Sequence, residues 1–203
     1  GLASEPGQGG QLELSSGRFR TRLSLAPAEG YPELLVPEGE DKGAFPLRTR
    51  MPSGELVKAL THVRYAASNE EYRAIFRGVQ LEFSPQGFRA VASDGYRLAL
   101  YDLPLPQGFQ AKAVVPARSV DEMVRVLKGA DGAEADLALG EGVLALALEG
   151  GSGVRMALRL MEGEFPDYQR VIPQEFALRV QVEGEALREA VRRVSVLSDR
   201  QNH

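Results

Sequence analysis

At 203 residues, with a formal net charge of −4, 43% hydrophobic and 26% charged side chains, the chain has the make-up of an ordinary globular protein able to bury a core. It has no cysteine, which excludes disulfides, a thiol nucleophile and a thiolate metal site, and its two histidines, His62 and His203, are too widely separated to point to a zinc site. No apolar run is long enough to span a bilayer as a helix.

The first residues lack the basic-then-apolar order of a signal peptide, and no initiator Met is present, so the chain is expected to begin inside a longer parent. The lack of cysteine suits a cytoplasmic protein. Residues 1–10 are Gly-rich and read as a loop, and the alternating runs 11–14 and 18–25, parted by Ser-Ser-Gly, read as a hairpin. A Tyr31-Pro32 phrase then leads through Val36-Pro37 into a charged linker, 38–42.

That phrase recurs. Phe165-Pro166-Asp167, running to Val171-Ile172-Pro173, repeats it at an offset of 134 residues (32 to 166). Leu56, Ala59, Leu60 and Val63 fall on Leu187, Ala190, Val191 and Val194 at an offset of 131 (56 to 187). A shorter echo lies within: a strand, a proline and an amphipathic helix occur at Pro52 and again at Pro116, 64 residues later. Proline suits a first helical turn, because its φ is already helical and its missing N–H would be unpaired there. Helices are expected over 55–67, 118–128 and 185–197. Three strand-like runs follow each of the first two: 74–83, 88–91 and 98–103, then 135–139, 142–148 and 154–160.

The unit is thus β-α-β-β-β, used twice per domain, an α+β architecture in which each helix packs one apolar face on a sheet. Residues 1–43 are expected to be the tail of one domain, 44–173 a complete domain and 174–203 the start of a third.

Between the runs 88–91 and 98–101 stands Ala92-Ser93-Asp94-Gly95-Tyr96-Arg97-Leu98-Ala99, where Asp-Gly predicts a two-residue hairpin turn. Later comes Glu162-Gly163-Glu164-Phe165-Pro166-Asp167-Tyr168-Gln169-Arg170-Val171-Ile172-Pro173. The two segments, in this order and at about this interval, resemble the bacterial sliding clamp, the beta subunit of DNA polymerase III. Its chains are built from three similar domains, in keeping with the repeat found here.

The resemblance implies the DNA-clamp fold: antiparallel sheets outside, helices lining a central channel, and a ring closed by a homodimer around double-stranded DNA. It implies a non-enzymatic processivity factor without cofactor or metal. Its expected partners are the replicative DNA polymerase, the clamp loader and other proteins carrying a short linear motif such as Gln-Leu-x-Leu-Phe. The matching pocket positions are Phe76, Ser93, Gly95, Tyr96, Arg97, Leu98, Pro166, Arg170 and Val171. Tyr96 stands where many relatives have His, Ser93 where many have Thr, and Phe76 where an aliphatic residue is common. The family completes this pocket with residues near the parent's C-terminus.

Charge on the helices fits a channel. Lys58 and Arg64 oppose Glu55; Arg118, Arg125 and Lys128 oppose Asp121 and Glu122; Arg188, Arg192 and Arg193 oppose Glu185 and Glu189. This is a surplus of +3, leaving −7 elsewhere. Alone, such a surplus is that of a solvated face complementing helix dipoles. Under the resemblance, Lys58, Arg64, Arg118, Arg125, Lys128, Arg188 and Arg192 are DNA-facing candidates, with Arg118 and Arg125 foremost and no base readout.

Two rivals remain. A repeat scaffold would share the peptide pocket without encircling DNA. An enzyme would need a constellation for which only Asp94 and Asp167 offer carboxylates, both at turn positions. No phosphate-binding Gly-rich loop with its Lys is present, and Gly150-Gly151-Ser152-Gly153 reads as a hairpin turn.

Overall fold

The computed structural model describes residues 3–6, 11–25, 44–70, 72–130, 132–148 and 153–197. The first copy of the repeated phrase, the charged linker and most of the Gly150–153 turn lie outside these residues. The chain divides into two compact units, Gly1–Phe165 and Pro166–His203.

The first unit opens with an antiparallel sheet of β1 (Ala3–Pro6), β2 (Gln11–Ser16) and β3 (Phe19–Ser24). The expected hairpin is β2–β3, and Gly17 supplies the positive φ of 58° at its turn.

Next come β4 (Leu47–Pro52), α1 (Ser53–Arg64), a 3-10 turn (Ala74–Arg77), β5 (Gly78–Ser84), β6 (Gly87–Ser93) and β7 (Leu98–Leu103). The pattern repeats as β8 (Ala111–Pro116), α2 (Ala117–Lys128), β9 (Glu134–Gly140), β10 (Val143–Leu148) and β11 (Arg155–Arg159). The β-α-β-β-β unit is therefore present twice.

Residues 3–6, expected within a Gly-rich loop, form β1 instead, paired with β2 with Glu5 opposite Glu13. Three further local expectations need correction. The strand expected from residue 74 begins at Gly78, because 74–77 coil into the 3-10 turn. Pro52 and Pro116 sit not in the first helical turn but at the cap before it, with ψ of 129° and 136°, each doubling as the last residue of its strand. Proline fits a strand end because no ladder N–H is demanded there. The third correction concerns α3 and follows below.

Strand order holds a feature that chain order does not. The two four-stranded sheets run β7-β6-β5-β8 and β11-β10-β9-β4. Each repeat's leading strand thus completes the other repeat's sheet: β4 pairs with β9, Met51 opposite Ala135, and β8 pairs with β5, Val115 opposite Val79.

A single buried cluster joins both sheets to both helices. It holds Leu56, Leu60 and Val63 of α1, Val120, Met123 and Leu127 of α2, Leu81, Phe83 and Phe88 of one sheet and Leu137, Leu144 and Leu146 of the other. Burying each such side chain stabilises the fold by about 1.5–3 kcal/mol. The sheets also meet at their edges, where the Met161 N–H donates to the Val114 carbonyl at 2.8 Å. Gly78 permits that approach, since a Cβ there would lie 2.4 Å from Val114 Cγ1 and 2.7 Å from Met161 Sδ.

In the second unit the described elements are a 3-10 turn, Tyr168–Val171, and α3, Gly184–Ser195. Its apolar stripe was expected to pack on a sheet, but Leu187, Val191 and Val194 are 52%, 59% and 69% exposed. No strand is found among the described residues of this unit, so nothing there covers the stripe.

Candidate functional site

The β6–β7 connection is longer than the expected two-residue turn. Ser93 still pairs with Leu98, leaving a four-residue loop, Asp94 to Arg97. The Asp94 N–H still reaches the Arg97 carbonyl, at 3.4 Å, and side chains add the closer bonds. Asp94 Oδ1 accepts from the Tyr96 and Arg97 N–H groups, both at 3.0 Å, and Ser93 Oγ accepts from Gly95 N–H at 3.1 Å while donating to the Arg97 carbonyl at 2.9 Å. Asp and Ser favour such local bonds, which outweigh the tighter turn that Asp-Gly alone would form.

Asp94 is mostly shielded, and that burial works against its charge. The two backbone N–H groups and the Arg97 guanidinium, 2.9 Å from Oδ2, outweigh it and hold the carboxyl below its ordinary value. Gly95 has φ +90°, and a Cβ there would lie 2.6 Å from Arg73 Nη1. Arg73 donates to the Asp94 carbonyl at 2.9 Å and fixes the loop from outside.

Around this loop stands an exposed set of aromatic and cationic side chains. Arg73 lies over the Tyr96 ring at 5.3 Å and the Tyr72 ring at 5.8 Å, and Arg97 lies 6.0 Å over Tyr65. Tyr96 is 86% exposed. Such rings offer apolar faces with polar tips, suited to transient contact with a partner. Arg73, Tyr65 and Tyr72 were not among the residues expected here; tyrosines amid polar neighbours were the available signal.

Leu98 is half-buried at the start of β7. Phe76, on the 3-10 turn, is also half-buried and meets the edge of Phe165 with ring centres 6.2 Å apart. In the second unit, Pro166, Arg170 and Val171 are all exposed, and Arg170 pairs with Asp167 at 2.9 Å. Asp94 and Asp167, the two carboxylates considered for acid–base chemistry, are thus each bound to an arginine three residues on.

The helix cations fall into three kinds. Lys58 pairs with Glu55 at 2.7 Å, a bond that raises the ammonium's pKa, while Arg125 pairs with Glu122 and Arg188 with Glu185. Arg64 is a tie between helices: Nε donates to the Ala117 carbonyl at 3.0 Å and Nη2 pairs with Asp121 at 2.8 Å. Arg118, Lys128 and Arg192 are exposed without a carboxylate partner among the described residues. On α2, Arg118, Arg125 and Lys128 lie opposite the buried Val120, Met123 and Leu127.

The sequence model of the DNA polymerase III beta subunit's central domain matches residues 50–167, more than half of the chain. The chain belongs to the DNA polymerase III beta-subunit family. Its repeated β-α-β-β-β units with antiparallel sheets are that family's clamp fold.

The beta sliding clamp of Haemophilus influenzae is 32% identical over 187 residues, covering 92% of this chain and 48% of its own. The DNA polymerase III beta subunit of Thermotoga maritima superposes with a TM-score of 0.79 at 29% identity, over 96% of this chain and 50% of its own. A Pseudomonas aeruginosa sliding clamp bound to griselimycin gives a TM-score of 0.79 at 27% identity, over 95% of this chain and 50% of its own. The chain therefore spans about half the length of the beta-subunit relatives it matches. The Ser93–Leu98 loop, α1 and α2 lie inside the span of the central-domain match; Arg170, Val171 and α3 lie beyond it.

Proposed function

We propose that this chain is the middle portion of a ring-shaped sliding clamp, a DNA polymerase processivity factor that encircles duplex DNA without reading its sequence. Residues 1–43 would close one domain, 44–173 form the central one and 174–203 open a third, in a cytoplasmic homodimer of the parent chain. The match to the central domain over residues 50–167 carries this reading.

Lys58, Arg64, Arg118, Arg125, Lys128, Arg188 and Arg192 form the DNA-facing set. Most are partly neutralised by neighbouring carboxylates. That suits sliding, because each phosphate fully neutralised adds affinity and retards movement. By the family resemblance, the positions assigned to docking a linear motif of polymerase, clamp loader and repair proteins are Phe76, Ser93, Gly95, Tyr96, Arg97 and Leu98 in the first unit and Pro166, Arg170 and Val171 in the second. Leu98 and Phe76 supply apolar wall, and Tyr96 with its arginine neighbours supplies the polar rim. The clamp acts by tethering, and no chemical step or cofactor is assigned to it.

The decisive experiment loads the complete parent chain onto nicked circular DNA. Retention in high salt, with release only when the circle is cut, is the expected outcome of topological linkage. Equal loss from circular and linear DNA as salt rises would leave a peptide-binding scaffold instead. For the pocket, a Gln-Leu-x-Leu-Phe peptide is expected to bind the parent and to lose roughly tenfold or more in affinity with Leu98→Ala, the scale of one buried anchor.

A further inference from the structure

Beside the meeting of the two four-stranded sheets lies a cleft of about 580 Å3 whose lining includes Gln80, Lys112, Val114, Gly142, Met161 and Glu164, all in the first unit. One of its walls is the outer edge of β8. Val114 stands opposite Gln80 of β5, and its carbonyl turns the other way to accept from Met161. In an antiparallel pair the N–H and carbonyl of one residue point to the same side, and residues two apart point alike. The Val114 N–H and both backbone groups of Lys112 therefore face the cleft, and none of the three has a backbone partner among the described residues. Such an edge is a template for an added strand.

Gln80 gives the cleft a second recognition element. It is only 4% exposed, and it lies on the opposite face of β5 from the core residues Leu81 and Phe83. Its Nε2 donates to Glu82 at 2.6 Å, while Oε1 receives no hydrogen bond among the described residues. No side-chain oxygen or nitrogen of those residues is both sealed from solvent and unpartnered, so Oε1 opens onto the cleft. An amide oxygen so placed is an acceptor for an incoming donor.

Charge indicates what that donor is. Lys112 is the one cation of the described lining, and Glu82 holds it at 3.6 Å. Glu164 in the lining, with Glu141 next to Gly142 and Glu162 next to Met161, are all exposed and have no cationic partner among the described residues. The local surplus is negative and favours a cationic partner.

We propose that this cleft docks an extended segment of a partner protein as a fifth strand on the β7-β6-β5-β8 sheet, with an arginine of that segment donating to Gln80 Oε1 and facing Glu164. The surface goes beyond the sliding-clamp reading and does not depend on DNA encirclement. It is also separate from the motif-docking positions, none of which belongs to the described lining.

The test titrates a capped Ser-Thr-Val-Arg-Val-Thr-Ser peptide into the isotope-labelled chain and follows its amide resonances. Lys112 and Val114 are expected to shift to saturation with a Kd on the order of 100 μM. Two backbone-methylated peptides, one blocked on each edge, are expected to differ by about tenfold or more, because only one edge can face β8. Gln80→Leu is expected to weaken binding about fivefold, and Glu164→Gln about two- to threefold. Glu175→Gln, an exposed carboxylate of the second unit, serves as the unchanged control. Thermal melts check that the variants fold, and the methylated peptides test the same contact with the chain unaltered.

Equal affinity for the two methylated peptides would overturn strand addition. An equal response to the peptide with glutamate in place of arginine would overturn the charge assignment. Displacement by a Gln-Leu-x-Leu-Phe peptide, or shifts confined to Tyr96 and Leu98, would place the segment in the motif pocket instead. Shifts of Lys112 and Val114 on concentrating the chain alone, with dimerisation, would make a second copy the occupant and also overturn the proposal, as would an absence of any shift.

Discussion

Helices α2 and α3 carry the same apolar spacing, Val120, Met123, Val124 and Leu127 against Leu187, Ala190, Val191 and Val194, and the same kind of surface ion pair. In α2 the side chains of Val120, Met123 and Leu127 are buried in the shared core; in α3 all four are exposed. An amphipathic stripe states what a helix needs covered, and the covering surface must come from elsewhere in the chain or beyond it. Most of a protein helix's stability comes from that covering, since a twelve-residue helix alone is marginal in water.

The sharpest way to break this comparison is truncation on the two apolar faces. Leu127→Ala is expected to cost about 2–5 kcal/mol in urea unfolding, as deletions at fully buried leucines do. Val191→Ala is expected to fall within about 0.5 kcal/mol of the parent, as exposed substitutions do. A large cost for Val191→Ala would mean that the stripe is covered in solution.

The Asp94–Arg97 loop is a third regime, neither buried like α2 nor bare like α3, and ordered by local hydrogen bonds. Asp94→Ala is expected to cost about 1–2 kcal/mol, comparable to losing a helix cap. Gly95→Ala is expected to cost a similar amount, about 1–2 kcal/mol, because its φ of +90° disfavours a Cβ and Arg73 Nη1 occupies the space.

The pH dependence has a definite sign. The Asp94 carboxyl is held below its unfolded value of about 3.9, so its contribution is present above that pH and lost as pH falls through the lower folded value. The Tyr96 and Arg97 amide resonances, followed by NMR during acidification, are expected to move together in that range, and Asp94→Asn is expected to abolish the movement.

The smallest effects are on the polar faces. Glu122→Gln and Glu185→Gln remove equivalent exposed pairs and are each expected to cost about 0.2–0.5 kcal/mol of helix stability, less at high salt. Equal values would show that the helices differ only on their apolar sides.

Local pattern made much of this fold legible. The apolar spacing of Leu56, Ala59, Leu60 and Val63 placed α1, and Pro52 and Pro116 marked both helix starts to within a residue. The strand-like run 98–103 coincides with β7. What remained hidden depends on distant partners. Nothing within 47–52 indicates that β4 pairs with β9 rather than with the strands that follow its own helix.

The loop was legible as a turn but not in its length, because that was decided by competition between the Ser93 and Asp94 side chains and the ladder. Likewise the basic residues could be counted from the sequence, whereas the commitment of Arg64 to Asp121, 57 positions away, could not.

The exchange of leading strands bears on how such a molecule is made. While it is synthesised, β4 emerges from the ribosome long before β9, its only ladder neighbour among the described residues, and waits without that pairing. The half that ends at β7 likewise lacks its edge strand until β8 appears. Neither half is a self-sufficient folding unit, so a protease nick between Pro104 and Gln110 should yield fragments that stay clasped and refold only as a pair. Sequence duplication here produced a structure that cannot be taken apart along the seam of the duplication.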